Sequence, residues 1–130
     1  MRVRLTEARV GRLATVTSEG RPHVVPCCFV LDHDMVYTGV DDVKPKSSPA
    51  LRRLDNLAAH PEVSLLVDHY DDDWSTLWWI RVDGVGRVLT DGTERSRAVQ
   101  ALAGKYPQYA AERALGAVIS IDIRTWRAWP

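Results

Sequence analysis

The sequence has little lysine, almost no cysteine and no net charge, and each shortage narrows what the chain can be. Basic and acidic side chains balance at 17 each, so the formal net charge is zero. A general nucleic-acid binder or a polybasic membrane protein would carry a basic surplus. Only three of the 17 basic residues are lysines, and two of these, Lys44 and Lys46, lie two positions apart. The two cysteines, Cys27 and Cys28, are too few for a disulfide scaffold. Neighbours on a strand point to opposite faces, so they read as two separate small apolar side chains. No apolar run nears the ~18 residues needed to cross a bilayer. The opening stretch MRVRLTEARVGR has no segment like a signal peptide, so the expected compartment is the cytoplasm.

Chemical motifs are equally sparse. No GxGxxG opens a helix, and neither a P-loop nor a GxSxG elbow is present. The four histidines, His23, His33, His60 and His69, are scattered without metal-ligand spacing. The acidic run at 71–73 lacks the surroundings of a calcium loop and reads as solvated. No metal is expected, and no catalytic dyad or triad stands out. If the chain is an enzyme, a cofactor supplies the reactive group.

What is present is a set of short strands. At 130 residues and 45% apolar composition, the chain makes one domain, 1–130, with one core. Strands are expected at 11–17, 22–31, 35–40, 62–70, 76–90 and 117–123, with helices at about 49–59 and 93–106. Pro26 inside the second strand marks an edge, a bulge or a docking place. Gly84 and Gly86 allow the long fifth strand to bend. A bent strand is how a small sheet closes on itself, so the fold expected is mainly β. It is a six-stranded antiparallel split β-barrel with two peripheral helices.

The zero net charge is a sum of opposed blocks. Residues 1–30 hold five arginines against two glutamates, and residues 32–43 hold four aspartates and no base. Residues 44–53 hold Lys44, Lys46, Arg52 and Arg53 without an acid. The lysine pair leads into a helix start, a favourable place for a phosphate or carboxylate; the alternative is a solvated loop. Trp74, Trp78 and Trp79 fall within six residues. Trp78 and Trp79 must face opposite ways, so one of them belongs outside, against a helix, a partner or a flat ligand.

The ordered segments GRLATV (11–16), GRPHVVP (20–26), VYT (36–38), the Lys44-Pro45-Lys46 loop, LRRLDNL (51–57), PEVSLLVDHY (61–70) and WSTLWWIR (74–81) resemble the pyridoxamine 5′-phosphate oxidase-like split-barrel proteins. Within them the chain is most similar to oxidoreductases that use the deazaflavin coenzyme F420. The resemblance implies a homodimer with two cofactor sites between its subunits and a small-molecule substrate. It places Val25, Pro26 and Cys27 against the cofactor ring, with Tyr37 and Thr38 bordering it. Lys44 and Lys46 would hold its phosphate or acidic tail, and Trp78 or Trp79 would complete the pocket. FMN is the alternative cofactor, with flavin-reductase or oxidase activity. A non-catalytic carrier or haem-binding module is the third reading. Asp41 and Asp42 precede the lysines where flavin-binding members often carry an arginine-rich grip, which favours the deazaflavin.

Overall fold

A computed structural model describes residues 1–41, 49–111 and 115–130. The lysine pair Lys44 and Lys46 lies outside the described residues. A short helix, α1 (Arg2–Glu7), leads into β1 (Gly11–Val16), β2 (Pro22–Cys27), β3 (Phe29–Asp32) and β4 (Met35–Asp41). Helix α2 (Pro49–Ala59), β5 (Glu62–His69), a 3-10 turn (Trp74–Thr76) and β6 (Trp78–Leu89) follow. The chain then forms α3 (Gly92–Lys105), α4 (Gln108–Ala111) and the long β7 (Leu115–Trp129).

The strands form one antiparallel sheet in the order β2-β1-β5-β6-β7-β4-β3. This corrects the expected count of six strands to seven. The stretch 22–31 is not one strand. It breaks at Cys28, and its halves lie at opposite edges of the sheet. Strands that share one connecting residue cannot sit at the two edges of a flat seven-stranded sheet. The sheet must curl until its edges approach, although no ladder joins β2 to β3 among the described residues. That is a split barrel. Pro26 does lie on an edge strand, where a missing N–H breaks no ladder.

Alternation along the strands builds the interior. Gly11, Leu13 and Thr15 of β1, Val63, Leu65 and Val67 of β5, and Ile80 and Val82 of β6 all face inward. Ile119, Ile121 and Ile123 of β7 join them in one core. A bulge between Asp83 and Gly84 sets an extra β7 residue, Arg124, against β6 and bends the pair. A Cβ at Gly84 would collide with the Asp122 carbonyl oxygen, which explains the glycine at the bend. Helix α2 closes one end of the barrel, where Leu57 packs over Gly86 and Asn56 Nδ2 donates to Thr15 Oγ1 at 2.9 Å. Helix α1 closes the other end with Leu5, which is fully buried. Burying one leucine contributes ~1.5–3 kcal/mol, more than six helical residues achieve alone.

Helices α1 and α4 add to the two expected, and β7 runs well past the expected 117–123. Helix α3 covers the outer face of β3, β4 and β7 through Ala98, Leu102 and Tyr106, over Tyr37 and Val118. Both faces of β7 are therefore buried along Val118, Ile119, Ser120 and Ile121.

The seam at Cys28 is pinned by one hydroxyl. Tyr106 Oη lies 2.9 Å from the Phe29 carbonyl and 3.0 Å from the Arg9 carbonyl, and it accepts from the Phe29 N–H at 3.1 Å. It thus ties the end of α3 to the starts of β1 and β3. Beside it, the Lys105 ammonium lies 4.2 Å from the Phe29 ring centre and has no hydrogen-bond partner among the described residues. Burial, and then the Arg9 charge, push its pKa down to about 8.

Replacing Tyr106 by Phe leaves the buried Phe29 N–H unpaired, and we expect a loss of ~1–3 kcal/mol. A urea midpoint that falls while the slope holds would confirm this. The lysine makes a pH prediction. Its charge is a penalty to the fold below pH 8, relieved as pH climbs toward the ordinary 10.5. Lys105→Met should therefore stabilise the protein at pH 7, by a margin that shrinks between pH 8 and 10.5. Urea unfolding at several pH values reads this directly; a margin independent of pH contradicts it.

Candidate functional site

The expected site residues occupy several distinct places in one chain. Val25 and Cys27 face the interior from β2, with Cys27 buried and Val25 packed on the core. Pro26 faces outward and is exposed. Thr38 also faces the interior; it is 1% exposed, and its hydroxyl donates to the Cys28 carbonyl at 2.7 Å. Burial raises the Cys27 thiol to about 11, against a hydrogen bond from Thr38 that lowers it. Cys27 and Thr38 therefore meet at the seam. Cys27 is not poised as a thiolate nucleophile, because the neutral form dominates at neutral pH.

Tyr37 points the other way and is covered by α3. Its hydroxyl donates to Glu94 at 3.0 Å, and Arg87 reaches the same carboxylate at 3.2 Å. Burial opposes the Glu94 charge, but these two partners outweigh it and hold the pKa below the ordinary value. Tyr37 is a packing residue within the single chain.

The two tryptophans separate as alternation requires. Trp78 shares the inward face with Ile80 and half fills the barrel end under α1. The Arg4 guanidinium lies 4.9 Å from its ring centre, and His69 stacks beside it at 6.4 Å. Trp79 faces outward, in register with Asp68 of β5 and Trp129 of β7.

The outer face of β2, β1, β5, β6 and the far end of β7 is not covered by a helix among the described residues. One register row reads Pro26, Arg12, Leu66, Arg81 and Arg127 across the five strands. The next reads Val24, Ala14, Ser64, Asp83 and Thr125. Val24 is 60% exposed and Trp129 50%. A shallow, mainly apolar hollow of about 500 Å³ lies between Ala14, Val16, Pro22, Ser64 and Val85. Asp83 at its edge accepts from Ser64 at 2.6 Å, from Arg81 and from Thr125 at 3.1 Å. Burial works against its charge, and these donors outweigh it and lower its pKa.

Two buried nitrogens near β2, His23 Nδ1 and Arg53 Nε, have no hydrogen-bond partner among the described residues. Arg53 rises from α2, and its charge acts on the Cys27 thiol. A buried donor without a partner is costly and marks a place for a polar ligand atom. Sequence reading singled out Arg53 only as part of a basic block. It listed His23 among the scattered histidines without singling it out; the signal was an inward-facing polar residue on an otherwise apolar strand face.

No group of three or more metal-ligating side chains converges among the described residues. No helix among the described residues is long and apolar enough to cross a membrane. No curated protein matches the chain by sequence. Solved structures do share the fold. A conserved hypothetical protein, Rv2991 from Mycobacterium tuberculosis, superposes with a TM-score of 0.76 at 22% identity, covering 96% of this chain and 79% of that one. The haem storage protein HutZ from Vibrio cholerae gives 0.73 at 14% identity, over 98% and 91% of the two chains. An FAD-binding protein from Mesorhizobium loti gives 0.68 at 25% identity, over 95% and 85%. With a seven-stranded sheet curled on the Cys28 seam, and with the profile of pyridoxamine 5′-phosphate oxidase matching residues 1–130, the chain belongs to the pyridoxamine 5′-phosphate oxidase family.

Proposed function

We propose that the protein is a homodimeric oxidoreductase that binds a tricyclic cofactor of the flavin type between its subunits, with deazaflavin F420 as the cofactor. One observation carries the reading. Pro26 on β2 and Trp79 on β6 share the outer face but are separated by β1 and β5. Three strand spacings amount to ~14 Å, too far for one ring to touch both within a chain. Two copies meeting on this face would bring β2 of one against β6 of the other. The exposed Val24 and Trp129 supply apolar area for that contact.

The residues present fit such a group in kind. Arg53 and His23 offer unpartnered donors beside β2. Lys44 and Lys46 offer charge for a phosphate or acidic tail. When bound, the cofactor supplies hydride transfer to or from a small unsaturated or quinone-like substrate. The protein's part is to orient the ring, exclude water and hold the anionic end. No side chain is assigned as a catalytic acid, so the substrate proton comes from solvent.

FMN or FAD is the second reading, favoured by the FAD-binding M. loti protein. Haem is the third, favoured by the V. cholerae protein. A titration panel of F420, FMN, FAD and haem separates all three. We expect saturable F420 binding at micromolar concentration, and its absence sinks the leading reading. Lys44→Ala with Lys46→Ala should weaken that binding tenfold or more, about 1.4 kcal/mol, while leaving the fold intact.

A further inference from the structure

Of the five arginines in residues 1–30, Arg12 stands on the outer face, in register with Pro26; the proposed cofactor site assigns no role to the other four. The structure gathers three of those arginines around one cleft of about 530 Å³, at the barrel end that α1 closes. Arg4, Arg9 and Arg12 line it together with Trp78 and His69. Helix α2, which follows the lysine loop, closes the opposite end.

How each guanidinium is engaged decides what the cleft can bind. Arg4 lies over the Trp78 ring at 4.9 Å, and Arg9 lies over the Tyr106 ring at 4.7 Å. Stacking uses the flat face of a guanidinium and leaves its N–H edge available. Arg9 spends one N–H on the Lys105 carbonyl at 2.9 Å. Neither Arg4 nor Arg9 forms an ion pair with a carboxylate among the described residues, whereas Arg12 pairs with Asp68 at 3.3 Å. Two forks are thus held on aromatic faces with donors unspent. The ring faces beneath them are taken, so the cleft suits a ligand gripped at its charged edges rather than one stacked on a ring.

We infer that this cleft binds a compact polyvalent anion, one carrying two or more phosphate or carboxylate groups, through the edges of Arg4 and Arg9 with Arg12 at the rim. Phosphate and carboxylate share the geometry that a guanidinium fork recognises. Glu7 and Asp68 also line the cleft; Asp68 is held by Arg12, and Glu7 opposes such a ligand. It therefore provides a second handle of opposite sign.

The test uses the intact protein, inorganic pyrophosphate and tricarballylate as phosphate and carboxylate probes, and acetate as the monovalent control. Calorimetric titration should show saturable binding of at least one polyvalent probe and at least tenfold weaker binding of acetate. Arg4→Ala and Arg9→Ala should each weaken binding several-fold, and Glu7→Gln should tighten it. The Lys44→Ala, Lys46→Ala variant should bind the probe unchanged, which separates this cleft from the cofactor site. Circular dichroism of each variant checks the fold, and Glu7→Gln keeps the test decisive if the arginine variants unfold. The inference fails if neither polyvalent probe saturates, or if affinity ignores both the arginine and the glutamate changes. It also fails if the lysine variant alone abolishes binding.

Discussion

A single residue, Cys28, joins the two outermost strands of the sheet, and the rest of the molecule follows from that constraint. Strands β2 and β3 are consecutive in the chain yet occupy opposite edges. The sheet has to curl to satisfy both facts. Curling encloses Leu13, Leu65, Ile80, Val82 and Ile121 as one core and leaves two open ends. Those ends are what α1 and α2 fill with Leu5 and Leu57. A barrel closed by a covalent crossover rather than a full ladder needs its seam held by other means. The Tyr106 hydroxyl supplies that hold, accepting from the Phe29 N–H of β3 and donating its one proton to the Phe29 carbonyl or to the Arg9 carbonyl just before β1. The nearby Lys105 adds a buried charge whose penalty is partly offset by the Phe29 ring.

The same curl divides the surface into unequal parts. Helix α3 covers β3, β4 and one end of β7, and this buries Tyr37 and Ser120. Strands β2, β1, β5 and β6, with the far end of β7, keep an uncovered outer face. On it, several charged side chains are already paired within the chain, Arg12 with Asp68 and Asp83 with Ser64, Arg81 and Thr125. A face whose charges are satisfied internally can approach another surface without stranding them. Together with Val24, Leu66 and Trp79, it has the mixed character of an association surface.

Much of this was legible in the sequence, and the failures have physical causes. Alternation located β1, β4, β5 and β6, and it placed Trp78 and Trp79 on opposite faces. The proline at 26 marked an edge strand, and the glycine at 84 marked the bend. The break at Cys28 was invisible because PHVVPCCFVL is apolar apart from His23 and carries no turn signal at the cysteines. Nothing local says that its two halves pair with different partners; only the closed topology does. The end of β7 was missed because RTWRAW lies beyond the core and lost its alternation signal. Helix α1 was missed because six residues carry too little pattern, and one buried leucine holds them. Of the candidate site, Cys27 and Thr38 do meet at the seam. Tyr37 serves packing under α3, and Arg53 and His23 became visible only once burial was known.

The central claim is that one functional site draws on two copies of the chain. Subunit complementation tests it most directly. One variant carries Lys44→Ala and Lys46→Ala; the other carries Trp79→Ala with Pro26 and the lysines intact. Each alone should bind the cofactor weakly. After unfolding and refolding together, half the dimers are mixed, and each mixed dimer regains one intact site. The account predicts recovery of about one quarter of all sites, as random pairing in a symmetric dimer requires. A mixture that binds no better than its two components would contradict it, because a site built within one chain cannot be repaired by a partner.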